Sequence, residues 1–158
     1  MSSIPDPIGE RMKVNYEKIS SYRLMRRTPV IIRIDGNAFH TFTRGFDRPY
    51  DVFLQNCMIK TVGYLCQHVH GCVFGYQQSD EISLCLVDYK KLNSQPYFDY
   101  KVQKICSITA SMATMIFNDL FSGVPNKEVY QKVKGKAVFD SRCFNIPREE
   151  VANYFYWR

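Results

Sequence analysis

Two long stretches with apolar residues at every third or fourth position, set among short β-branched runs, constrain this chain more than any other feature. In residues 51–69, Leu54, Cys57, Met58, Val62, Leu65 and Val69 recur at helical spacing behind Asp51, a potential N-cap. In residues 98–120 the same spacing links Phe98, Val102, Ile105, Ile108, Met112, Met115, Ile116 and Leu120, before Gly123 to Pro125 stop the pattern. Strand-like runs lie around them. Residues 30–34 read Val-Ile-Ile-Arg-Ile, 72–74 and 82–87 form a hairpin through the polar turn at 77–80, and 136–139 supply a fourth strand. A helix over residues 8–23 precedes this core, and Pro147 opens a last one. The order strand, helix, strand, strand, helix, strand predicts a ferredoxin-like α+β fold, an antiparallel sheet with helices packed on one face.

In that topology strand one is parallel to strand two, with strand three inserted antiparallel between them, so the end of strand one meets the turn that begins strand three. Asp35 is thereby expected beside Asp80 and Glu81. Clustered carboxylates repel and raise one another's pKa unless a cation, a shared proton or water offsets them. A divalent metal does so economically. Oxygen ligands suit Mg²⁺, which is commonly completed by substrate phosphates, and two such ions clamp the oxygens of a phosphoryl or nucleotidyl transfer. After Asp35 the chain reads Gly36-Asn37-Ala38-Phe39-His40: glycine allows close backbone approach, successive N–H groups face phosphate oxygens, Phe39 offers a face to a base, and His40 offers a donor.

The 158 residues suit one domain, taken as 1–158, and the formal charge of +6 attracts polyanions without proving that one binds. No uninterrupted apolar run of about 20 residues suggests a bilayer span, and the N-terminus lacks the pattern of a secretory signal. Six scattered cysteines without a CxxC pair suggest reduced thiols in a cytoplasm. Cys66, His68, His70 and Cys72 alternate temptingly, but as a strand they would stretch over about 20 Å, too far for one zinc.

Arg33-Ile34-Asp35-Gly36 with Phe39-His40 and Phe42, Arg48-Pro49 with Asp51, Gln78-Ser79-Asp80-Glu81 with Ser83, and Phe139-Asp140-Ser141-Arg142 followed by Pro147 to Trp157-Arg158 resemble the signatures of the tRNA-histidine guanylyltransferase family. The resemblance runs from about Val30 to the end and implies a polymerase-like palm, in agreement with the element order above. It implies an enzyme that adds nucleotides to the 5′ end of tRNA: the 5′ monophosphate is activated with ATP or GTP, and the 3′ hydroxyl of GTP then attacks, with two Mg²⁺ ions serving the chemistry. By position, Asp35, Asp80 and the Gly36 carbonyl hold metal, and Glu81 supports them as an acid. Residues 36 to 40 with Ser79 bind the triphosphate, while Arg48 and Lys104 match basic positions, Lys104 facing the activated 5′ end. Asn37 stands where eukaryotic members usually carry Arg, which points to the repair-type branch that restores truncated 5′ ends on a template.

The resemblance also implies a homo-oligomer, a tetramer, and further C-terminal segments, so this sequence is expected to be an N-terminal catalytic fragment. Two other readings stand beside it: another palm-type enzyme such as a nucleotide cyclase, and a non-catalytic RNA-binding module.

Overall fold

Antiparallel pairing on both sides of one buried strand organises the chain, whose computed structural model describes residues 6–158. That strand, β1 (Val30–Gly36), pairs with β3 (Glu81–Leu86) on one side and β4 (Phe139–Asn145) on the other. β2 (Cys72–Gln78) completes the sheet in the order β2-β3-β1-β4, with β3 antiparallel between β1 and β2 as expected. Alternation divides the side chains of β1. Val30, Ile32 and Ile34 enter the main core, whereas Ile31, Arg33 and Asp35 take the opposite face.

The main core forms where α3 (Val52–His68) and α4 (Val102–Ser122) pack on the sheet and on each other. Asp51 caps α3 as expected, accepting from the Leu54 amide at 2.9 Å, and it also accepts the Tyr130 hydroxyl at 2.7 Å. The sheet face of α4 differs from the expected stripe. Its buried row is Ile105, Thr109, Ala113, Phe117 and Phe121, while Met115 is exposed. α4 is apolar nearly all round, so spacing alone does not choose a face; small Thr109 and Ala113 let the helix approach the sheet closely, and Thr109 meets the Ser141 hydroxyl at 2.8 Å. By length and composition α4 also passes for a membrane span, a property the sequence reading missed, but here that apolar surface lies against α3 and β4.

Three further expectations shift. The first helix is α1 (Pro7–Met12), continued by a π turn and a 3₁₀ turn to Ser20; residues 22–24 instead lie beside the start of α4, with Arg23 bridged to Lys101. The second long helix begins at Val102 rather than Phe98 because Phe98, Asp99 and Tyr100 all hold positive φ, a left-handed turn incompatible with an α-helix. β4 starts at Phe139 because Ala137 is taken by Asn118, whose amide donates to the Ala137 carbonyl and accepts from its N–H.

Two short helices, α2 (Phe39–Phe42) and α5 (Glu128–Gln131), flank the end of β1 and the approach to β4. The last helix, α6 (Val151–Trp157), lies on the other face of the sheet, where Tyr154 packs with Ile31 and Cys85 and its hydroxyl meets Ser83 at 2.9 Å. Helices therefore cover both faces unequally, a refinement of the one-faced expectation.

Replacing Asp51 by Ala removes the α3 cap and leaves the buried Tyr130 hydroxyl unpartnered, for a loss of about 3 kcal/mol. Tyr130→Phe costs about 1 kcal/mol because it removes the hydroxyl and its unmet bond together. Urea unfolding of the two variants reads the difference.

Candidate active site

The end of β1 gathers carboxylates from two neighbouring strands. Asp35 stands opposite Glu81 on β3 and opposite Asp140 on β4, and the Gly36 amide donates to the Asp80 carbonyl at 3.2 Å. The hairpin that presents Asp80 turns in two residues, Ser79 and Asp80, with Ser79 at φ 54°, the positive φ that two-residue hairpin turns use. The Ser79 hydroxyl then donates to the Asp80 carboxylate at 3.0 Å, fixing its direction. Burial, Asp80 and Asp140, in that order, push the Asp35 carboxyl above its ordinary pKa, and Arg142 and Arg33 draw it partly back.

A cleft of about 400 Å³ opens here, lined by Asp35, Gly36, Ala38, Phe39, His40, Thr43, Leu54, Ser79 and Asp80. A second hollow of about 620 Å³ shares Thr43, Leu54 and Ser79 with it and adds Arg48, so the two form one trough. Asn37 is exposed beside it, its N–H spent on the Val138 carbonyl. With the Gly36 amide also bonded, the phosphate-facing amides narrow to those after Asn37, at the uncapped start of α2, where first-turn N–H groups have no partner within the helix.

Phe39 does not offer its ring to a base. The ring is 3% exposed, stacked on Phe42 and packed against Phe117 and Phe139, so it forms the floor of the cleft from the core side. Glycine at 36 follows from this: a Cβ there would sit 2.3 to 2.7 Å from the Phe39 ring. Glu81 also turns from the expected position, its carboxylate held between Arg33 and Arg158. Lys104 lies far from the cleft. Thr114 on α4 donates to or accepts from the site end of β4 through the Phe139 amide, and Lys104 is ten residues earlier, about 15 Å back along the helix. Asp140 and Arg142, paired at 2.9 Å, are the site residues the sequence reading did not single out; placing β4 beside β1 is the signal that exposes them.

No three His, Cys, Asp or Glu side chains come together to hold a metal among the described residues. The donor set at the cleft is instead two carboxylates, Asp35 and Asp80, with the Gly36 carbonyl next in the chain. This incomplete set of hard oxygens, with uncompensated negative charge, fits Mg²⁺ completed by phosphate and water.

The Thg1 family model, tRNAHis guanylyltransferase, matches residues 9–147. The chain belongs to this family. Among solved structures it is similar to a bacterial tRNA(His) guanylyltransferase (Thg1)-like protein in complex with GTP, at 44% identity and a TM-score of 0.88 over 97% of this chain and 70% of that one. The tRNA(His) guanylyltransferase of Saccharomyces cerevisiae, at 23% identity and a TM-score of 0.74 over 92% of this chain and 63% of that one, shares the fold. Among curated relatives, Uncharacterized protein R259 of Acanthamoeba polyphaga mimivirus is 31% identical over 98% of this chain and 58% of its own length. The tRNA(His) guanylyltransferase of Candida glabrata is 28% identical over 92% of this chain and 62% of its own length. The chain thus spans less than two thirds of these two curated family relatives.

Gly36→Ala is expected to drive Phe39 out of its aromatic stack and cost about 2 kcal/mol, read by thermal unfolding. Asp35 gives a second test. Its folded pKa is raised, so the native state holds a proton that the unfolded chain releases, and stability falls as pH rises from the unfolded pKa through the higher folded value. In buffer free of divalent cations, Asp35→Asn should abolish that fall and raise the melting temperature above the window; a pH series of melting curves checks it.

Proposed function

We propose that this chain is a nucleotidyltransferase that binds a nucleoside triphosphate in the Asp35–Asp80 trough and adds its nucleotide to the 5′ end of a tRNA. The observation that carries this reading is the convergence of Asp35 and Asp80 at a polar cleft whose other wall is the start of α2. The bacterial relatives solved with GTP and with ATP support both nucleotides as ligands, one as the incoming unit and either as the 5′-activating one.

Asp35 and Asp80 act as metal ligands rather than proton carriers. Two Mg²⁺ ions held there with the Gly36 carbonyl would lower the pKa of the attacking 3′ hydroxyl and offset the charge of departing pyrophosphate. Ser79 aims the Asp80 carboxylate through its hydrogen bond. His40 and the first amides of α2 donate to triphosphate oxygens, and Arg48 supplies a cation at the adjoining end of the trough. Asn37, exposed and uncharged at the rim, gives no guanidinium to select guanine, which favours template-directed repair of shortened 5′ ends. Glu81 supports the site at one remove by anchoring Arg33 and Arg158 beneath the hairpin.

The test is incorporation of labelled GTP into a tRNA lacking its first 5′ nucleotide, with Mg²⁺ present. Wild type should extend the 5′ end, and Asp35→Ala/Asp80→Ala should fall by about 10³-fold or more. Cyclic nucleotide as the sole product would replace this reading with the cyclase one.

A further inference from the structure

The most basic concavity outside the trough lies at the opposite end of the sheet. Two adjoining hollows of about 500 and 450 Å³ share Glu17, Ser21 and Lys101, and together they form one groove between the first helical segment and the start of α4. Lys13, Lys18, Lys101 and Lys104 line it, and none of the four makes an ion pair among the described residues. Arg23, also in the wall, is committed to Asp99, and Glu17 is the one acid among the lining residues. Ser20, Gln103 and Ser107 add neutral donors. Lys101 gives α4 no side-chain cap, so the positive end of a 21-residue helix adds to the field of the lysines.

Resting on the reading above, we propose that this groove is a second RNA site that grips the phosphodiester backbone of the same molecule whose 5′ end occupies the trough. Unpaired lysines with interleaved hydroxyl and amide donors match phosphate oxygens, the contacts that position nucleic acid without reading its sequence. The concave shape selects a strand or duplex edge over a flat bilayer, which cannot reach the floor. The spacing suits one molecule: Lys104 lies about 15 Å along α4 from Thr114, which is bonded to the strand carrying Asp140. A duplex places a phosphate about every 1.7 Å of its axis, so an RNA with its end in the trough has many phosphates in reach of the groove. From Val102 to Asn118 the helix between them carries no acidic residue to repel that backbone. Lys104 then serves the RNA body rather than its activated 5′ end.

The experiment measures fluorescence anisotropy of a labelled RNA hairpin bearing a 5′ monophosphate, across a KCl series, with binding of labelled GTP read separately. Lys18→Ala/Lys101→Ala/Lys104→Ala should lose about tenfold or more in RNA affinity at low salt and flatten the salt dependence by about 2 to 3 in slope, with GTP binding unchanged. The corresponding triple Lys→Arg should keep the wild-type slope. A control, Lys60→Ala/Lys90→Ala/Lys91→Ala, removes the same charge from exposed positions elsewhere and should change far less. Equal losses in both alanine triples, no loss in the groove triple, or no RNA binding by the wild type would each overturn the groove. Retained GTP binding in those cases leaves the trough reading standing. Loss of RNA binding confined to the groove triple, in a protein that binds no GTP, supports the groove and sinks the trough.

Discussion

Because β1 is hydrogen-bonded to antiparallel neighbours on both sides, its C-terminal end receives side chains from two strands that are distant in sequence. Asp35 must therefore share its surroundings with the hairpin turn carrying Asp80 and with the opening of β4 carrying Asp140. That crowding is electrostatically unfavourable, and the aliphatic pairing of the rest of β1, where Val30, Ile32 and Ile34 are fully buried, holds it in place. The fold keeps a repulsive cluster at the one sheet edge where a cation and a polyphosphate offset it.

The two faces of the sheet share this work. The face under α3 and α4 supplies the rigid floor through Phe39, Phe117 and Phe139. The opposite face carries ionic links: Glu81 joins Arg33 to Arg158, and Asp140 joins Arg142, so each carboxylate near Asp35 other than Asp80 already has a guanidinium. Charge is thus sorted along the edge, leaving Asp35 and Asp80 as the carboxylates that line the open cleft.

Much of this was legible from periodicity. The strand order, the Asp51 cap and the meeting of Asp35 with the Asp80 hairpin all followed from local pattern and one topological rule. What escaped was whatever depends on choosing between equivalent options. Spacing along α4 offered several apolar faces, and only closeness to the sheet selected the row through Thr109 and Ala113. A phenylalanine after a glycine reads equally as ligand platform or as core, and Phe117 with Phe139 decides for the core. Lys104 matched a basic position by sequence alone, and the length of α4 carries it to the far end of the sheet. The side-chain hydrogen bonds that moved the start of β4 involve Asn118, which is remote from that strand in sequence.

The Phe39 ring belongs at once to the cleft lining and to the buried aromatic cluster. Site and core therefore form one cooperative unit, with no separately opening pocket floor between them. Bound nucleotide and global unfolding are coupled through that ring, so damage deep in the cluster, at Phe117 or Phe121, registers in an activity screen as though it had struck the active site itself.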